Sequence, residues 1–180
     1  RASRVEQFYF QSELELLDIK TQSEAYNLNI DCTNSIQENI DFGDKIYAEA
    51  KKLEKYDESS RLSDSIKLQH KKYDILRVLF WINTMKIKKA CNASYSNIVY
   101  FYDYDNPSLE QAAMQRTFSN SLESYKQKKG NSIILIPIAA DNNITSVDIF
   151  LKRYDITSLP TILINEKTKI TSINELATLV

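Results

Sequence analysis

The sequence predicts an α/β fold, a β-α-β-α-β-β-α domain preceded by an α-helical hairpin extension. Three observations carry this. Through about residue 90 apolar residues recur at three- and four-residue spacing, without a proline and with Gly43 as the one glycine. From Asn97 the texture changes to short β-branched and aromatic runs, IVYFY, IILIPIAA and PTILIN, with helical patterns between them. A strand-helix-strand start demands a right-handed crossover and a parallel pair, whereas the last two strands are close enough for an antiparallel hairpin.

Residues 4–26 read as a helix with Val5, Phe8, Tyr9, Leu16, Ile19 and Tyr26 as its stripe. It suits the continuation of a membrane anchor, a dimerising helix, or simple packing on the hairpin that follows. Asp31 or Thr33 is a good N-cap for a second helix over 34–56, striped by Ile36, Ile40, Gly43, Ile46, Tyr47, Ala50 and Leu53. A polar break at 56–60 follows, and Ser60 or Ser63 caps a third helix over 62–90. Its stripe is Ile66, Tyr73, Leu76, Leu79, Phe80, Asn83, Ile87 and Ala90, and LFWI at 79–82 is apolar almost all round, so other elements must cover it. Trp81 is read as core.

These two helices, about 35 and 43 Å long, form an antiparallel hairpin whose far ends meet. Cys32 stands before the first and Cys91 after the second. A disulfide there would close a loop of about 60 residues, worth roughly 4 kcal/mol, and implies an oxidising compartment. The alternatives are two buried free thiols or a reversible redox pair.

The strand at 98–102 leads into a helix over 108–128, with Asp105 or Asn106 as cap, Pro107 in the first turn and Gly130 as stop. The run 133–140 reads as a strand covered on both faces, and its Pro137 marks a strand end or an edge. A short helix at 146–154, strands at 160–165 and 168–171, and a closing helix at 173–180 complete the domain. The division falls at 1–94 for the helical region and 95–180 for the α/β domain.

Composition excludes several function classes. The 180 residues include 43% hydrophobic ones, enough for a core. Net charge is −1, with 23 basic and 24 acidic residues, which argues against a nucleic-acid binder. The lysine runs at 51–52, 71–72, 86–89 and 126–129 read as solvated helix faces. With 2 glycines there is no glycine-rich phosphate loop. The single His70 and two cysteines cannot make a four-ligand zinc site, so no metal and no cofactor is expected. No apolar run reaches 18 residues, but the chain opens at Arg1 directly in an amphipathic pattern, so a signal or membrane anchor is expected upstream.

The stretch NIVYFYDYDNPSLEQ at 97–111, read with SLPTILI at 158–164 and the preceding Tyr154-Asp155-Ile156, resembles the thioredoxin-like superfamily. The whole layout resembles archaeal, membrane-anchored thioredoxin-like proteins with a cysteine flanking each end of a helical hairpin. That resemblance places the protein on the outer face of the membrane. It also places Cys-x-x-Cys at 106–109, where this chain has Asn106, Pro107, Ser108 and Leu109. An amide and an isobutyl group replace both sulfurs, and neither can perform thiol–disulfide exchange. The family's cis-proline loop falls at Leu159-Pro160-Thr161. There the main chain of Leu159 would pair with an extended peptide, rimmed by Tyr104, Leu109, Ile156 and Leu159.

Other constellations have plain structural readings. Asp103, Asp105 and Glu110, with Asp155 nearby, read as caps and solvated loop rather than an acid–base or cation site. His70, among Gln69, Lys71 and Lys72, reads as exposed, too far from Ser108 to activate it. Asn92 and Asn143 head glycosylation sequons, which matter only in an exported protein. The expected function is thus a redox-inactive, membrane-tethered extracytoplasmic module that binds a protein or peptide. The alternative is a structural protein that self-associates through its helical region, and a thiol–disulfide oxidoreductase is the third reading.

Overall fold

The computed structural model describes residues 2–57 and 64–180. Its elements are helices α1 (Ala2–Leu28), α2 (Ser35–Asp57) and α3 (Asp64–Cys91), then β1 (Ser96–Tyr102), α4 (Leu109–Lys129), β2 (Ile133–Ala139), α5 (Thr145–Arg153), β3 (Thr161–Ile164), β4 (Thr168–Ile170) and α6 (Ile173–Leu176). Helix α2 runs on through Tyr56 and Asp57, two residues into the expected polar break; the rest of that break and the caps Ser60 or Ser63 lie outside the described residues. So do the side chains of Val5, Phe8, Tyr9 and Leu53.

The sheet is mixed, in the order β2-β1-β3-β4. β1 pairs parallel with β2 and antiparallel with β3, and β3 pairs antiparallel with β4. Pro137 lies in the middle of β2 opposite Tyr100, and β2 is an edge strand, where a missing N–H is tolerated. Strand alternation divides the core in two. Ile98 and Tyr100 of β1 meet Phe118 and Leu122 of α4 and Leu176 of α6. Val99 and Phe101 face the other way, onto α3 and α5.

Trp81 makes the second layer. It is fully buried, with its ring 4.5 Å from Phe150 of α5 and 6.0 Å from Phe101 of β1. Its indole N–H donates to Glu166 Oε1 at 2.8 Å, in the β3–β4 turn. Asn97 Nδ2 donates to the same oxygen, and Lys88 Nζ donates to Asn165 Oδ1. Thus α3 covers one face of the sheet while its opposite side packs on α2, through Phe80 against Phe42 and Asn39 Nδ2 donating to Thr84 Oγ1.

The hairpin brings Cys32 and Cys91 together as a disulfide with Cα atoms 5.5 Å apart. Asp31 shapes the turn into α2, its carboxylate accepting the Thr33 N–H. Helix α1 lies along α3: Ser23 Oγ donates to Asn83 Oδ1 at 2.8 Å, and Lys72 pairs with Glu15. A cleft of about 420 Å³ remains between α1, α2 and α3, walled by Ile19, Phe42, Ile46 and Leu76. No described helix is long and apolar enough to cross a membrane.

Three local expectations are corrected. The cap of α4 is Ser108, not Asp105 or Asn106, so Pro107 precedes the helix instead of opening it. The last helix ends at Leu176; beyond it the Thr178 and Leu179 N–H groups donate three residues back, to the Glu175 and Leu176 carbonyls, rather than continuing the four-residue ladder. Tyr47, placed on the α2 stripe, is 54% exposed. The lysine runs are also less uniform than expected. Lys126 reaches forward to donate to the carbonyls of Gly130 and Ile133, closing the end of α4, and its burial there lowers its pKa.

Candidate functional site

Four segments converge at the end of the sheet where β1 and β2 finish and β3 begins. Loop 103–107 leaves β1 and enters α4. Ser108 Oγ accepts the Gln111 N–H at 3.1 Å, and Gln111 Oε1 accepts the Ser108 N–H at 3.2 Å, a reciprocal capping box. The other end of the Gln111 amide donates to the Leu159 carbonyl at 3.4 Å. One side chain therefore ties the start of α4 to the loop before β3. That loop contains a cis Leu159-Pro160 peptide bond. Pro160 and Thr161 are buried, and Thr161 Oγ1 donates to the Ser158 carbonyl.

The predicted rim residues have unequal settings. Leu109 is 93% exposed at the first position of α4. Ile156 and Leu159 are half-buried against the α3–α5 core, so their outer surfaces alone can meet a ligand. Tyr104 is half-buried with its ring centroid 4.3 Å from that of His70. His70 is therefore not simply exposed on α3, as its neighbours suggested. Lys67, one turn earlier, pairs with Asp105 at 2.8 Å. The first half of α3 thus braces the loop. Ser108, committed to its cap, is not poised as a nucleophile.

Sequence reading missed Asp141, at the end of β2. Its carboxylate accepts the backbone N–H of Tyr104 at 2.9 Å and of Asp105 at 2.7 Å. Asp103 lies against it. The shared hydrogen bond between the two carboxyls, with some burial, raises the Asp103 pKa. Burial alone would raise Asp141 too, but the hydrogen bonds from Asp103 and from the two backbone amides outweigh it and hold Asp141 low. The pair thus carries a proton on Asp103 more readily than on Asp141, and its donors all serve to fold the loop. Asp155 is elsewhere, paired with Lys169 of β4, and Glu110 is exposed on α4.

Asp74 of α3 was also missed. It is fully buried, accepting from Asn142 Nδ2 at 2.7 Å and the Ala139 N–H at 3.3 Å, with Arg77 at 3.3 Å. Desolvation raises its pKa despite these partners. It pins α3 to the segment that carries Asp141.

No thiol is present at this end of the molecule. Asn106 and Leu109 occupy the two positions of interest, and both cysteines are consumed in the disulfide. From His70 to Cys91 along α3 is about 30 Å at 1.5 Å per residue. Among the described residues no group of three or more His, Cys, Asp or Glu is arranged to hold a metal ion. Asn92 and Asn143 are exposed, and both have positive φ (49° and 53°), a turn geometry that favours asparagine irrespective of any sugar. Comparison with protein-family models, with curated proteins and with solved structures finds no match to this chain.

Proposed function

We propose that the chain is a redox-inactive, thioredoxin-like protein of the extracytoplasmic membrane surface that binds an extended protein segment beside its cis-proline loop. The observation that carries this reading is an exposed Leu109 on a capped, thiol-free helix start that Gln111 ties to the Leu159 carbonyl of the loop before β3. The strand order β2-β1-β3-β4 and the crossover through α4 support the fold part of it. The exposed Leu109, next to a loop whose Leu159 carbonyl accepts a 3.4 Å bond from Gln111, supplies an apolar contact and a displaceable acceptor. A bound strand would replace Gln111 at that carbonyl and cover Leu109. The Cys32–Cys91 bridge favours an oxidising compartment.

Selection from a phage-displayed random peptide library, followed by amide chemical-shift mapping with an enriched peptide, tests the groove. Shifts should centre on Leu109, Gln111, Leu159 and Thr161 and vanish in Leu159→Arg. Binding that survives this substitution, or shifts confined to the helical region, would refute the groove. Turnover in an insulin-reduction assay would refute the loss of redox chemistry.

A further inference from the structure

Helix α1 carries two apolar stripes, and α3 uses one of them. The inner side, with Leu16, Ile19 and Ser23, faces the hairpin. On the opposite side Phe10, Leu14, Leu17 and Leu28 stand 48–88% exposed. Their positions, with Thr21 and Glu24 between, repeat at alternating four- and three-residue steps, the seam of a coiled coil. Thr21 folds its hydroxyl back onto the Leu17 carbonyl at 2.7 Å, so its polar atom is satisfied within α1.

We propose that this outer face binds a second copy of the chain, as an antiparallel helix pair about a two-fold axis between residues 15 and 16. Flanking charge selects both the partner and the direction. Antiparallel pairing sets Leu14 against the partner's Leu17, Phe10 against the partner's Thr21, and Glu13 beside the partner's Lys20. Gln11 then meets the partner's Asp18, which can accept from it. Each contact occurs twice by symmetry. Parallel pairing would instead bring Glu13 against the partner's Asp18, a like-charge contact. Acidic residues outnumber basic ones along α1, which disfavours an anionic lipid surface as the occupant. The surface is separate from the groove beside Leu159, and the inference does not depend on that site.

Sedimentation equilibrium of the 180-residue chain tests it. The mass should rise from 20.9 kDa toward twice that value with concentration. The double variant Leu14→Glu/Leu17→Glu should stay at 20.9 kDa with unchanged far-UV circular dichroism. Glu13→Lys or Lys20→Glu alone should weaken the dimer about tenfold, the symmetry doubling each effect, and the two together should restore it. A monomer up to about 1 mM would overturn the proposal. So would a dimer indifferent to the leucine substitutions, or one tightened by Glu13→Lys, the signature of parallel pairing. Phosphatidylglycerol vesicles that capture a monomeric chain through Leu14 and Leu17 would assign the stripe to lipid and overturn it equally.

Discussion

Gly43→Ala sets two opposing effects against each other in α2. An alanine in a helix interior gains about 1 kcal/mol over glycine. Yet a Cβ at position 43 would collide with the end of the Phe80 ring, overlapping Cζ and lying 2.9 Å from both Cε atoms. Phe80 is buried and braced edge-on by Phe42, with ring centroids 6.1 Å apart. An open pocket of about 200 Å³ beside it, lined by Ile40, Tyr47 and Ile134, gives the ring partial room to yield. Overpacking of this kind costs about 1–3 kcal/mol. The expected balance is a net loss of about 1 kcal/mol, or roughly 2–4 °C in Tm. Phe80→Leu removes the colliding atoms, so in that background Gly43→Ala should stabilise by about 1 kcal/mol. Urea denaturation of the four proteins of this cycle gives the coupling directly. If Gly43→Ala stabilises the parent chain, or if its effect is the same with Leu at position 80, the close approach of α2 and α3 at Gly43 is wrong.

Further outcomes follow from the site and the hairpin. Cys32→Ser/Cys91→Ser should lower stability by about 4 kcal/mol from loop closure, read from the urea midpoint, while peptide binding at the far end of α3 persists; equal stability would show that the bridge constrains little. Asp74 has a raised folded pKa, so its contribution is fully present below the ordinary carboxylate value and is lost as pH rises through the folded value. Asp74→Asn should therefore gain on the parent chain as pH increases from about 4 toward 7, and parallel pH curves would contradict the assigned burial cost. Asp141 is held low, so its contribution is present above the ordinary carboxylate pKa and is lost as pH falls through the folded value. Asp141→Ala should cost about 1–3 kcal/mol at neutral pH by stranding the Tyr104 and Asp105 amides, and hydrogen exchange at those two amides should accelerate; unchanged exchange would refute the anchoring role.

The missed capping residue of α4 shows where local reading fails. Asp105, Asn106 and Ser108 are all good N-caps on chemistry alone. The choice falls to Ser108 because Asp141, from another strand, already holds the Asp105 and Tyr104 amides and so keeps the chain in a loop there. The Ser108-x-x-Gln111 pattern was nonetheless a readable capping box. His70 was misjudged for a similar reason. Its sequence neighbours are polar, but the surface it faces is supplied by Tyr104, more than thirty positions away.

The order of elements, the reading of β2 as a strand covered on both faces and the closeness of Cys32 to Cys91 were legible in the sequence itself; that the two form a disulfide rather than free thiols came from the structure. Each rests on short-range information: the period of apolar residues reports which faces are buried, and a hairpin of two matched helices brings its own ends together. Tertiary structure alone decided that α3 covers the sheet through Trp81, that Asp141 organises the loop before α4, and that Gln111 joins this helix to the cis-proline loop. These contacts depend on how elements cross in space. Residues 36 to 85 positions apart make them, and no periodicity within a single helix or strand encodes that distance.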